Sequence, residues 1–247
     1  MTKVLKIQKK VWLNKNIFGL ELFYPEINPL PGQFFQIRVG EGLDPFLNRP
    51  ISVASYRRNR LLLIIKILGK GTGMLSEKGD GESLILLGPF GKGIKPKKKR
   101  SLLLAGGIGV APLYFLAEYL NKLRANFTFL YGTKTPDDFI LKRNIIMLAK
   151  ESIFITEQVL RKKRTVVSAV KEIDLRDYEV AYACGPKEML IELQKLNLSI
   201  PIYAFCEDFL GCGCGLCLGC AIMYRGEYKR ICEDGPVFEL GGIEFGV

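Results

Sequence analysis

Four cysteines near the C-terminus follow the spacing Cys212-x4-Cys217-x2-Cys220-x11-Cys232, in a stretch where Gly211, Gly213, Gly215 and Gly219 alternate with them. With Cys214, five of the chain's seven cysteines fall between positions 212 and 232. A segment this short cannot bury enough apolar surface to fold alone, so a metal centre is expected to hold it. Metal is favoured over disulfides, because Met1–Lys10 is charged and has no apolar signal core, and the chain reads as cytoplasmic. The first two spacings, joining the first three cysteines, are those of plant-type [2Fe–2S] ligation, in which four thiolates complete two tetrahedral irons. Two alternatives stay open on spacing. Cys214-x2-Cys217-x2-Cys220 resembles the start of a [4Fe–4S] run, and four of these thiolates would also satisfy zinc.

The chain contains no histidine. That removes the commonest acid/base at neutral pH and a common metal ligand, so chemistry here must rest on cofactors, backbone donors, or Lys, Asp, Glu and Cys. No side chain is assigned a catalytic acid or base role. The net charge is +11, but Lys and Arg are spread along the chain, and the densest run, Lys95–Arg100, reads as a solvated linker. Without an aromatic-studded basic motif nucleic acid is not an expected partner; anionic dinucleotides and an acidic protein surface are. The longest apolar stretches, such as Leu61–Ile65 and Ser101–Ala105, are strand-sized and far below the roughly 18 residues of a membrane span.

Three regions follow. Residues 1–98 carry short apolar or alternating runs (Lys3–Ile7, Gln33–Val39, Leu61–Leu68, Ser83–Leu87) punctuated by Gly and Pro, which predicts a small β-barrel. One short helical turn is expected in Gly73–Gly79. Residues 99–205 alternate strand and helix: strands at Ser101–Ala105, Phe127–Tyr131, Ser152–Thr156, Glu179–Cys184 and, last, Pro201–Phe205. The intervening helices are expected at Leu113–Leu123, Ile140–Lys150, Val166–Ile173 and Lys187–Leu196. That rhythm predicts an open α/β domain with a parallel sheet. Residues 206–247 form the cysteine segment, with β-like pieces at Ala221–Tyr224 and Glu227–Ile231.

Four further segments carry chemistry. Arg49-Pro50-Ile51-Ser52, read as following a strand, offers a guanidinium that can grip a pyrophosphate and a hydroxyl for a ring edge. Gly71-Thr72-Gly73 lets backbone N–H groups approach phosphate at a short helix start. Gly106-Gly107-x-Gly109-x-x-Pro112 follows a buried strand and opens a helix, a context suited to a dinucleotide. Cys184-Gly185-Pro186 ends a strand at the sheet edge where ligands bind.

Taken in order, these segments resemble the ferredoxin–NADP reductase superfamily. With the cysteine segment and Asp234-Gly-Pro-Val-Phe238 added, the whole chain resembles the electron-transfer subunits of class 1B dihydroorotate dehydrogenases. The resemblance implies FAD, one [2Fe–2S] cluster and NAD as cofactors. It also implies a partner, the FMN-bearing dihydroorotate dehydrogenase catalytic subunit, in a heterotetramer of two copies of each, serving pyrimidine biosynthesis. Carried over, Arg49, Pro50, Ile51, Ser52, Ile64, Ile65, Lys66, Gly71 and Thr72 would hold FAD. Lys66 stands where the family usually has arginine. Gly107, Gly109, Pro112, Cys184, Gly185 and Pro186 would line the nicotinamide site, and Cys212, Cys217, Cys220 and Cys232 would ligate the cluster, with Cys206 and Cys214 extra. Nicotinamide exchanges electrons in pairs as hydride, whereas a flavin can release them singly to a cluster. Relatives carry an acidic, glycine-rich stretch after Phe154–Thr156 where this chain has the basic Glu157–Arg164, so NAD over NADP is an inference from the family. Rival readings are a flavin/iron–sulfur reductase subunit of a hydrogenase, a sulfur reductase or a ferredoxin:NADP couple, and a zinc-binding redox regulator.

Overall fold

The computed structural model describes residues 2–40, 42, 44–157 and 164–246, which fall into two compact units. The first comprises residues 1–94, 207–222 and 228–236; the second comprises 95–206, 223–227 and 237–247.

The first unit is built on a closed six-stranded barrel. Its strands are β1 (Thr2–Asn14), β2 (Ile17–Phe23), β3 (Phe34–Arg38), β4 (Arg49–Arg57), β5 (Arg60–Lys66) and β6 (Ser83–Phe90), in the order β1-β2-β5-β4-β3-β6. Period-two alternation drives closure: Leu61, Leu63 and Ile65 of β5 and Leu84 and Leu86 of β6 are buried. Between β4 and β5 the chain turns in two residues, Arg58 and Asn59, both at positive φ (50° and 64°). That pair matches the right-handed twist of the hairpin. Helix α1 (Lys70–Glu77) bridges β5 and β6. Strand β3 is buried on both faces, with Phe34, Phe35, Gln36 and Ile37 all under 4% exposed.

The second unit holds a parallel sheet of β7 (Ser101–Gly106), β8 (Phe127–Thr133), β9 (Glu151–Thr156), β10 (Val180–Cys184) and β11 (Ile202–Phe205), in the order β9-β8-β7-β10-β11. Helices α2 (Val110–Lys122), α3 (Lys142–Leu148), α4 (Val166–Val170) and α5 (Lys187–Lys195) fill the crossovers. Strand order reverses between β7 and β10, the place where such sheets bind ligands. In the C-terminal segment, β12 (Ala221–Tyr224) and β13 (Glu227–Arg230) form a hairpin ahead of the short α6 (Ile231–Asp234). Then β14 (Val237–Glu239) runs antiparallel to β11, and β15 (Ile243–Glu244) pairs with β12.

Barrel, parallel sheet and cysteine segment follow the predicted order. Several local expectations need correction. Arg49–Ser52 opens β4 rather than following a strand, because these residues pair with β3 from Ile37 to Phe34. Helix α1 begins at Lys70 and includes Gly71–Gly73, where a turn from Gly73 was expected. Pro201–Phe205 is not the sheet's last strand, because Val237–Glu239 adds antiparallel to Tyr203–Phe205. Most of the basic stretch 157–164 lies outside the described residues. Among the described residues, no helix is long and apolar enough to cross a membrane.

Candidate functional site

The cysteine loop resolves into two pairs. Cys212 and Cys217 each donate a backbone N–H to the other's Sγ, at 3.5 and 3.3 Å. Cys220 and Cys232 are buried with their Sγ atoms 3.3 Å apart, and Gly215 N donates to Cys232 Sγ at 3.0 Å. Glycine is required at Gly213 and Gly215, which sit at φ +73° and +83°. Burial works to keep the Cys212 thiol protonated, but N–H donors from Cys214 and Cys217 prevail and bring it down to about 6. Burial, with the Cys220 thiol beside it, pushes Cys232 up to about 12. Ionising Cys232 calls for a cationic centre, because metal binding deprotonates a thiol outright. Two thiol pairs suit a two-iron cluster, with two thiolates on each iron. Among the described residues, no group of three or more His, Cys, Asp or Glu side chains stands close enough to hold a metal ion without rearrangement. Cys214 is exposed beside Cys212, to whose Sγ it donates a backbone N–H at 3.5 Å.

Arg230 anchors this loop. Its guanidinium donates to Gly215 O (3.1 Å), pairs with Glu233 (2.7 Å) and lies 3.7 Å from Asp234. A Cβ on Gly215 would fall 2.0 Å from Glu233 Oε2, a carboxylate that can swing aside, so it is the φ of +83° that calls for glycine where the loop meets α6.

On the barrel, Arg49 and Gly71 meet. A Cβ on Gly71 would lie 2.5 Å from Arg49 Nε and 2.7 Å from its Cζ, so the guanidinium occupies the place of a Gly71 side chain. Arg49 also donates to the carbonyls of Leu47 (2.5 Å) and Asn48 (3.3 Å), which hold it without neutralising it. A fixed cation resting on the first turn of α1 forms a cradle suited to an anion such as a pyrophosphate. Thr72 Oγ1 is engaged locally, accepting from Leu68 N (2.9 Å) and Gly69 N (3.2 Å). Pro50, Ile51 and Ser52 are half-buried on β4 beside Arg49. Ile64 and Ile65 are buried in the barrel wall and Lys66 is half-exposed, so the two isoleucines offer a ligand backbone rather than side chain.

In the second unit the two glycine motifs converge at the reversal of strand order. Ala105 of β7 and Cys184 of β10 are register partners, so the loops leaving them are adjacent. A Cβ on Gly109 would fall 2.3 Å from Cys184 O, and one on Gly106 would fall 2.7 Å from Met189 Sδ. A Cβ on Gly185 would fall 2.5 Å from Met189 Cε. Gly109 is glycine because two backbones touch, whereas Gly106 and Gly185 leave room for the Met189 side chain. Gly107 differs: it sits at φ +55° with no atom within 4 Å of its Cβ position, leaving backbone open at the mouth of the switch point. Gly109 caps α2, whose first turn carries no acidic residue and includes the buried Pro112. This arrangement suits a dinucleotide phosphate at a helix N-terminus. Pro186 caps α5 in turn.

Sequence reasoning missed Gln36 and Arg230. Gln36 is fully buried on β3, donates from Nε2 to Leu210 O (3.3 Å), and leaves Oε1 with no hydrogen-bond partner. The available signal was one amide inside the apolar run Phe34-Phe-Gln-Ile37. Burying such a group unsatisfied costs about 1–3 kcal/mol, so its presence calls for a reason.

Residues 207–244 match the family model described as the iron–sulfur cluster binding domain of dihydroorotate dehydrogenase B. The chain is 34% identical over 222 residues to the dihydroorotate dehydrogenase B (NAD(+)) electron transfer subunit of Geobacillus thermodenitrificans, covering 86% of each. This chain belongs to that family of electron transfer subunits. Its similarity to the dihydroorotate dehydrogenase B subunit of Geobacillus sp. (strain WCH70) is 35% identity over 241 residues, 93% of each chain. Among solved structures, the chain is similar to one described as an NADH-dependent reduced ferredoxin-NADP oxidoreductase, from work on flavin-based electron bifurcation. That likeness has a TM-score of 0.88 and 26% identity, and covers 98% of this chain and 90% of the other.

Proposed function

We propose that the chain passes electrons between NAD(H) and the FMN of a separate catalytic dihydroorotate dehydrogenase subunit, through FAD and one [2Fe–2S] cluster. The observation that carries this reading is similarity to a subunit of that name over 93% of both chains, cysteine segment included. In this reading residues 1–98 serve FAD, 99–205 serve NAD and 206–247 serve the cluster. Arg49 and the first turn of α1 hold the FAD pyrophosphate, Gly71 keeps the guanidinium in place, and Thr72 shapes the turn. Pro50, Ile51, Ser52 and the backbone of Ile64, Ile65 and Lys66 flank the ring. Gly107, Gly109 and Pro112, with Cys184, Gly185 and Pro186, receive the nicotinamide dinucleotide. Cys212, Cys217, Cys220 and Cys232 bind the irons. When bound, the flavin and cluster supply the conversion between paired and single electrons. The protein's task is to hold, orient and shield; no side chain is required as acid or base. A cytoplasmic heterotetramer with two copies of each subunit is the assembly we favour.

Anaerobic purification tests the reading. One FAD with two iron and two sulfide per chain, and dihydroorotate-dependent NAD⁺ reduction when the FMN subunit is added, are expected. A colourless protein would overturn the reading. A second reading, service in a ferredoxin–NADP-type complex, is favoured by the 0.88 TM-score likeness to such an oxidoreductase. Reduction of ferredoxin without coupling to the dihydroorotate enzyme would select it.

A further inference from the structure

We infer that Gln36 is a positioning residue that fastens the cysteine loop to the barrel strand beside the flavin segment. The inference rests on the cofactor assignment above. Strand alternation puts Phe35 and Ile37 on one face of β3 and Gln36 on the other. Gln36 reaches the cysteine segment from that second face, with Nε2 donating to Leu210 O at 3.3 Å. The loop in turn closes onto the amide: a Cβ on Gly213 would lie 2.7 Å from both Gln36 Cγ and Nε2, and Gly213 holds φ +73°. On the neighbouring strand the register partner of Gln36 is Pro50, the residue after Arg49. One side chain therefore joins the residues flanking Cys212 to the strand carrying Arg49–Ser52. A hydrophobic residue would fill this buried place without leaving Oε1 unpartnered, so the amide's contribution lies in its directional bond to the loop. Gln36 fixes the position of Cys212 relative to the flavin-binding strand, and so the path between the two groups.

The test compares the whole chain as purified with Gln36→Met, which keeps the volume and removes the amide, and with Gly213→Ala, which pushes on the same contact from the loop. Backbone hydrogen exchange over 209–214 is expected to speed up about tenfold in both variants, equivalent to ~1.4 kcal/mol. The electron paramagnetic resonance signal of the reduced cluster should broaden, while flavin content stays at the wild-type level. Gln36→Leu should behave as Gln36→Met does, because neither side chain can donate to Leu210 O. Wild-type exchange and an unchanged signal in Gln36→Met would overturn the inference. If Gln36→Met does not fold, the decision rests on Gly213→Ala, where unchanged exchange overturns it equally. Failure of the cofactor assignment is distinguishable, since it would appear as missing flavin or iron in the unaltered chain.

Discussion

At the residue scale, the structure turns several glycines from conformational necessities into contact surfaces. Gly71 is the clearest, because the atom it lacks is replaced by the Arg49 guanidinium at 2.5 Å. Gly71→Ala should displace that cation and weaken FAD binding at least about tenfold, or ~1.4 kcal/mol, read from flavin retention during gel filtration. Arg49→Ala should do the same, and the double variant should lose little more, because both changes remove one interaction. Gly109→Ala has a different outcome. Its new methyl would meet the Cys184 carbonyl at 2.3 Å, and no rotamer relieves a backbone clash. A loss of about 2–3 kcal/mol in stability is expected, with a melting temperature lower by roughly 5–10 °C, checked by circular dichroism.

At the element scale, β14 is the piece that local pattern could not disclose. Val237-Phe-Glu239 is too short to register as a strand, and it becomes one only because β11 offers an open edge. By contrast, the alternation in β5 and β6 and the strand–helix rhythm from Ser101 onward are written in local periodicity, and these elements appear where the sequence puts them. The spacing of the four cysteines was likewise legible, but their division into pairs 212/217 and 220/232 depends on α6 bringing Cys232 back to Cys220. Gln36 and Arg230 escaped notice because each reaches a loop backbone carbonyl, Leu210 O and Gly215 O, and no pattern of side chains marks a carbonyl as a partner. Removing residues 237–247 should be costly, since Phe238, Leu240 and Ile243 are buried and contribute about 1.5–3 kcal/mol each. Gln194 would also lose both of its carbonyl acceptors, Leu240 O and Ile243 O, each at 2.7 Å. The truncated chain is expected to melt at least roughly 10 °C lower and to aggregate through the bared β11 edge, as followed by light scattering.

At the scale of the whole molecule, cluster and fold should separate experimentally. Cys220→Ser removes one buried thiolate from a touching pair and should abolish iron binding while flavin remains bound, checked by visible absorption and iron analysis. Loss of both would mean that the metal is needed to fold the first unit. The chain itself bears on that outcome, for it passes between its two units at 94–95, 206–207, 222–223, 227–228 and 236–237. A tail sewn in this way is no cassette. Fusing residues 207–247 to an unrelated flavoprotein would part 207–222 and 228–236 from the barrel strands of their unit, and 223–227 and 237–247 from the parallel sheet of theirs.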